Sequence, residues 1–148
     1  MVTGVIYTMS VDGSNVQRIS DPAGNASLQV WSPDNALIAY QSDLDGDLDI
    51  YVYELAAGIT RLVTDNDIAD YAPTWVCDMS ILVFTSDITG DSNLFSTPAL
   101  PMDTPAIKVD TEAEQLTDEP DAGQYPQNSP DEEDASRQNS LPSPAKNR

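Results

Sequence analysis

The chain has 148 residues, no histidine and a formal net charge of −19, with 25 acidic against six basic residues. This charge repels phosphate backbones and anionic lipid headgroups, which argues against nucleic-acid and membrane-surface binding. The lack of histidine excludes Ser-His-Asp and Cys-His catalysis and histidine metal ligation. Cys77 is the single cysteine, so no intramolecular disulfide forms. As written, the sequence shows neither a signal peptide nor an apolar run long enough to span a membrane.

Short runs of β-branched and aromatic residues, separated by Gly, Asp, Asn or Pro, predict β-strands over residues 1–117. No segment has the apolar period of an amphipathic helix over three turns. Residues 5–19 are expected to form two outer strands of one unit. The strands expected after them, in chain order, are Val30–Trp31, Leu37–Gln41, Asp49–Tyr53, a strand ending at Thr60–Thr64, Ala72–Val76, Ser80–Thr85, Asn93–Thr97 and one around Glu114–Thr117.

An internal repeat determines the expected architecture. Trp75 follows Trp31 by 44 residues, and the same offset relates several other short motifs. These pairs are Asp34 and Asp78, Ser42-Asp43 and Ser86-Asp87, and Gly46-Asp47 and Gly90-Asp91. A period of this length with four strands per unit is typical of a β-propeller blade. A β-sandwich is the alternative, but it would require Greek-key pairing that repeated four-strand units do not suggest.

Several motifs resemble the repeat of TolB-type propellers, also called WD-like propeller repeats. They are Trp31-Ser32-Pro33-Asp34, Ile38-Ala39-Tyr40, Ser42-Asp43, Gly46, Ile50-Tyr51-Val52 and Arg61-Leu62-Val63-Thr64. The resemblance covers residues 5–118, with Cys77 where the family has proline and a proline-rich insertion before the last strand. It implies a closed ring of about six blades. We therefore expect residues 1–117 to form two and a half four-stranded blades of an incomplete, all-β propeller, and the chain to be a fragment or a shortened relative of a larger one.

Residues 118–148 differ in composition from the preceding part. Apolar side chains are few among Asp, Glu, Ser, Gln, Asn and Pro, and the run Asp131-Glu132-Glu133-Asp134 is entirely acidic. Such a segment buries too little apolar surface to offset its conformational entropy. We expect a disordered acidic tail whose removal leaves the β-sheet signal in circular dichroism unchanged.

Aspartates alternate from Asp43 to Asp49 around Gly46, a spacing that can arrange oxygen ligands around Ca²⁺. The same pattern is typical of a hairpin turn. In the second unit Thr89 and Asn93 replace two of the aspartates. Because turn chemistry explains both copies, we expect no metal site and only weak, nonspecific heat on titration with Ca²⁺.

Other candidate residues also have simple structural explanations. Trp31 and Trp75 could stack on a ligand, but equivalent positions in successive repeats are typical of residues that pack one blade on the next. Cys77 occupies a turn and has no histidine to activate it. Asp65 and Asp67 are expected in a solvated loop. We therefore expect no catalytic, cofactor-binding or metal-binding residues.

The resemblance implies two classes of function. In the bacterial family the role is that of a periplasmic part of the Tol-Pal cell-envelope system, which implies a non-catalytic module that binds a protein partner in the periplasm or outside the cell. Similar propellers also precede the catalytic domain of prolyl oligopeptidase-like peptidases, which implies an accessory domain. The sequence lacks a Gly-x-Ser-x-Gly motif, so the first class is favoured and the chain is not expected to be an enzyme. Blade faces without a neighbour predict self-association.

Overall fold

The computed structural model describes residues 4–78, 80–99, 103, 105–107 and 109–118. The expected disorder beyond Asp118 lies outside the described residues. The strands in chain order are β1 (Tyr7–Thr8), β2 (Gln17–Arg18), β3 (Ala26–Trp31), β4 (Leu37–Ser42), β5 (Asp49–Glu54), β6 (Ile59–Leu62), β7 (Asp70–Trp75), β8 (Ile81–Ser86), β9 (Asn93–Pro98) and β10 (Glu114–Gln115). One short helix, α1 (Val109–Glu112), precedes β10. Within the described ranges, no helix is long and apolar enough to cross a membrane.

The strands form three antiparallel sheets in which chain neighbours pair. We call β3–β6 blade 1, β7–β10 blade 2, and the pair β1–β2 the N-terminal sheet. Each blade is a four-stranded meander joined by short connections, apart from the long one between β9 and β10. The prediction of two and a half four-stranded blades is confirmed.

Both blades contain the same irregularity in their first strand. The register between the first and second strands shifts after Ser27 in blade 1 and after Tyr71 in blade 2. Leu28 and Ala72, which are 44 positions apart, both adopt positive φ there, at 50° and 52°. The sequence gives no signal for this bulge, because neither leucine nor alanine favours a left-handed backbone. The repeat therefore extends to backbone geometry that residue types alone do not reveal.

Blade 1 buries both of its faces because side chains alternate along β4 and β5. One face packs on blade 2 and the other packs on the N-terminal sheet. The first cluster contains Ala39, Ile50, Val52, Val63, Trp75, Leu82, Phe84, Phe95, Ile107 and Val109. The second contains Ile6, Ile19, Ala26, Ile38, Tyr40, Tyr51 and Tyr53.

The two tryptophans do not play the same part. Trp75 is 4% exposed, packs in the cluster between the blades and donates from Nε1 to the Val30 carbonyl at 3.4 Å. The prediction that it is a packing residue is confirmed. The same prediction for Trp31 is wrong, because 45% of Trp31 is exposed. The N-terminal sheet has only two short strands among the described residues, and they leave Trp31 uncovered.

The proline-rich insertion contributes to the core between the blades. Ile107 forms a parallel bridge with Thr64, donating to the Val63 carbonyl at 2.7 Å and accepting from Asp65 N at 3.2 Å. Val109, at the start of α1, is 1% exposed. The insertion is therefore more than the longer connection that the sequence suggested, since it pairs with residues 63–65, directly after the last strand of blade 1.

Candidate functional site

The loop between β4 and β5 places three aspartates around one point. Carboxylate oxygens of Asp45, Asp47 and Asp49, one from each side chain, lie within 4.8 Å of one another. Asp45 is exposed, Asp47 is half-buried and Asp49 is fully buried. The loop reverses at Gly46, whose φ of 131° favours glycine, and Asp49 begins β5 opposite Ser42. The loop thus runs from solvent into the protein along one row of carboxylates.

Asp49 is held by Thr64, two residues after the last strand of its blade. Thr64 Oγ1 donates to Asp49 Oδ1 at 3.0 Å and accepts from Ile50 N, also at 3.0 Å. Asp49 Oδ2 is buried and has no hydrogen-bond partner among the described residues. One oxygen of this carboxylate is therefore fixed, and the other has no donor among the described residues.

Blade 2 adds a fourth carboxylate at the same junction. Asp70 is fully buried at the start of β7, and its backbone N donates to the Leu48 carbonyl at 2.6 Å. Its Oδ2 accepts from Asn66 Nδ2 at 2.7 Å. Its Oδ1 is buried without a hydrogen-bond partner in the described part of the chain, as is Asp47 Oδ2. We call Asp45, Asp47, Asp49 and Asp70 the junction carboxylates.

The electrostatics show that these groups act on one another. Burial is the main cause that raises the pKa of Asp49 to about 8, and the carboxylates of Asp45, Asp47 and Asp70 raise it further. Burial likewise raises the pKa of Asp70 to about 6; hydrogen bonds from Ser86, Asn66 and Thr64 oppose this rise, and the charge of Asp47 adds to it. The pKa of Asp47 is raised by burial and then by the charge of Asp45. Negative charge at the junction is therefore costly for the isolated chain.

Asp43 belongs to the sequence pattern but not to this cluster. Its carboxylate accepts from Asn25 N at 2.5 Å and from Asn25 Nδ2 at 2.7 Å. These hydrogen bonds lower the pKa of Asp43 and fix the start of the loop to Asn25, the residue before β3. Asp43 thus has the structural role that the sequence predicted for the whole loop.

Sequence reasoning did not identify Asp70 as part of the site. It lies 21 positions after Asp49, outside any local motif. The internal repeat contains a signal, because the 44-residue offset places Asp70 at the position of Ala26, where blade 1 has no polar group. The residues predicted to be unrelated to catalysis are exposed: Cys77 lies in the turn after β7, and Asp65 and Asp67 lie in the loop that joins the blades.

No family model matches the chain. A curated relative, the Tol-Pal system protein TolB of Desulfosudis oleivorans, is 30% identical over 90 residues, which cover 61% of this chain and 20% of the relative. Among solved structures, TolB from Acinetobacter baumannii is similar with a TM-score of 0.61 and 18% identity over 76% of this chain and 26% of that protein. The tricorn protease is similar with a TM-score of 0.56 and 20% identity over 84% of this chain and 14% of that protein.

These comparisons agree on the fold and differ in the kind of protein they name. The chain spans about a fifth of the length of the curated relative that it matches. The two solved structures are similar to it in fold over about three quarters or more of its length.

Proposed function

We propose that this chain, whose consecutive blades are similar to those of TolB, is a non-catalytic module that binds a protein partner through the loops at one end of its blades. A rigid stack of blades suits this role, because it holds short loops in fixed positions with little conformational entropy left to lose on binding. The function is carried by the surface chemistry of those loops.

The acidic loop face is the observation that supports this proposal best. Because neighbouring strands are antiparallel, the loop after β4 and the loop after β6 emerge at the same end of blade 1. Exposed Asp45, Asp65 and Asp67 all act on the half-buried Asp47 there. A face of one sign selects a partner of the opposite sign and speeds its approach. We infer that the partner presents a basic segment.

Peptide binding tests this function. A labelled lysine-rich peptide and a glutamate-rich peptide of equal length are titrated with the full chain at low and high salt. We expect the lysine-rich peptide alone to bind, and its affinity to fall as salt screens the charges. The double variant Asp65→Asn/Asp67→Asn should weaken binding several-fold.

The matched control changes two aspartates at the opposite end. Asp34 and Asp78 lie in the turns after β3 and β7, where each accepts from a backbone N two residues on. Asparagine retains that acceptor, so Asp34→Asn/Asp78→Asn should fold and bind as the wild-type chain does. Equal weakening by both double variants, or absence of binding by the wild-type chain, would contradict the proposal.

The curated relative supports a compartment as well as a class of partner. It is named as a protein of the Tol-Pal system. We propose that this chain acts in the periplasm or outside the cell, with a protein partner of the cell envelope. Cell fractionation with an antibody against the chain tests this, and recovery in the cytoplasm would contradict it.

A second candidate is an accessory domain of an enzyme, as in prolyl oligopeptidase-like peptidases. Its support is the structural similarity to the tricorn protease. Sequencing the gene with its flanking regions separates the two candidates. A hydrolase domain in the same reading frame would favour the accessory role, whereas further blades behind a signal peptide would favour the interaction module.

A further inference from the structure

Three buried carboxylate oxygens at the junction of the blades lack partners in the described structure: Asp47 Oδ2, Asp49 Oδ2 and Asp70 Oδ1. Asp49 and Asp70 are themselves fully buried. Buried polar atoms in proteins are nearly always satisfied by a donor, a water molecule or an ion. Two different blades supply these atoms, so the turn geometry of one loop does not account for them.

In blade 2, the equivalent loop, between β8 and β9, satisfies its polar side chains by hydrogen bonds within the protein. Asn93 stands at the position of Asp49, and its Oδ1 accepts from Thr117 Oγ1 at 2.9 Å, as Asp49 Oδ1 accepts from Thr64. Asn93 Nδ2 then donates back into its own loop, to Thr89 Oγ1 at 3.0 Å and to the Asp91 carbonyl at 3.3 Å. The loop closes through an amide.

Blade 1 replaces that amide nitrogen with a carboxylate oxygen. Thr89 is replaced as well, because the equivalent position holds Asp45. An ionised carboxylate accepts hydrogen bonds and donates none. Asp49 therefore cannot make the two hydrogen bonds that Asn93 Nδ2 donates, and its oxygen faces other acceptor oxygens instead. Turn chemistry thus explains the second loop fully and the first only in part. A positive group at the place of the Asn93 amide would satisfy the first loop.

We propose that Asp45, Asp47 and Asp49 bind one divalent cation, of which Ca²⁺ is the best match, in place of the expectation from the sequence that this loop binds no metal ion. Ca²⁺ takes six to eight oxygen ligands at about 2.3–2.6 Å, so oxygens that share it lie no more than about 5 Å apart. The loop oxygens of Asp45, Asp47 and Asp49 meet this condition. The carboxylate of Asp70 does not belong to this group. It lies at the start of β7, where its backbone N donates to the Leu48 carbonyl of the same loop at 2.6 Å, so it adds buried negative charge beside the site.

Calorimetric titration of the metal-free full chain with CaCl₂ tests the proposal. We expect one saturable site with a dissociation constant of about 10⁻⁴–10⁻³ M, the range of extracellular calcium modules. Saturating Ca²⁺ should raise the melting temperature by about 5 °C, because the ion binds only the folded chain. Absence of saturable binding would overturn the proposal and show that a proton, not a metal ion, satisfies Asp49.

Variants that copy the chain's own repeats keep the test independent of misfolding. Asp49→Asn installs the residue of the second loop, and Asp70→Ala installs the residue found at Ala26. Asp49→Asn should fold, lose at least tenfold in Ca²⁺ affinity and show no thermal shift at the Ca²⁺ concentration that saturates the wild-type chain. Asp70→Ala should fold and weaken binding less than Asp49→Asn does, because it removes nearby negative charge but no ligand. Asp91→Asn in the second loop is the matched control and should bind as the wild-type chain does. Binding that survives Asp49→Asn would place the ion elsewhere and overturn the proposal.

Discussion

Trp31 and Trp75 occupy equivalent positions in successive blades, yet their surroundings differ. Trp75 is buried in the cluster between the blades and Trp31 is 45% exposed. Burial of an aromatic side chain stabilises a fold in proportion to the apolar area removed from water. The energetic weight of each tryptophan is therefore set by whether a neighbouring blade covers it.

Alanine substitution should separate the two positions. Trp75→Ala opens a cavity in the core between the blades, and we expect it to cost about 3–5 kcal/mol of unfolding free energy. Trp31→Ala leaves no such cavity, and we expect it to cost less than about 1 kcal/mol. Urea unfolding at low protein concentration measures both. Similar costs for the two variants would show that Trp31 is covered in solution.

At the scale of elements, the segment between β9 and β10 stabilises the junction of the blades. Ile107 adds a bridge beside Thr64, and Val109 lies in the core cluster. Thr64 also holds Asp49, so the insertion packs against the residue that positions the junction carboxylates. The proline-rich segment between β9 and β10 thus helps to hold the residue that positions Asp49 in the candidate site.

Ile107→Ala should therefore destabilise the chain by about 2–4 kcal/mol, since Ile107 is 5% exposed. The matched control is Leu116→Ala, because Leu116 is 48% exposed and beyond the same insertion. We expect that control to change stability by less than about 0.5 kcal/mol. Thermal and urea unfolding measure the difference, and an equally small effect of Ile107→Ala would show that the insertion is not docked.

At the scale of the whole molecule, each end of the stack presents partly exposed apolar side chains. Trp31 and Leu28 are exposed on blade 1, and Ile81 is exposed on blade 2. Repeat proteins gain much of their stability from contacts between neighbouring units, and apolar faces without a neighbour favour association. The net charge of −19 opposes association at low salt and is screened at high salt.

We therefore expect the isolated chain to self-associate, more strongly as concentration and salt increase. Analytical ultracentrifugation should show species larger than the monomer, and the melting temperature should rise with protein concentration. Trp31→Gln should weaken association without unfolding the chain, because Trp31 is largely exposed. A monomer with a high, concentration-independent melting temperature would contradict this prediction.

The sequence by itself determined the blades, because strand propensity, turn residues and the 44-residue period are properties of neighbouring residues along the chain. Only the tertiary structure decided which tryptophan is buried, since burial depends on a neighbouring blade. It also decided that Asp43 leaves the carboxylate row and that the next blade buries Asp70 beside it. The local sequence pattern predicted the turn between β4 and β5. The unpartnered carboxylate oxygens lie where two blades meet. Contacts between distant parts of a chain cannot be predicted from residue spacing within one loop.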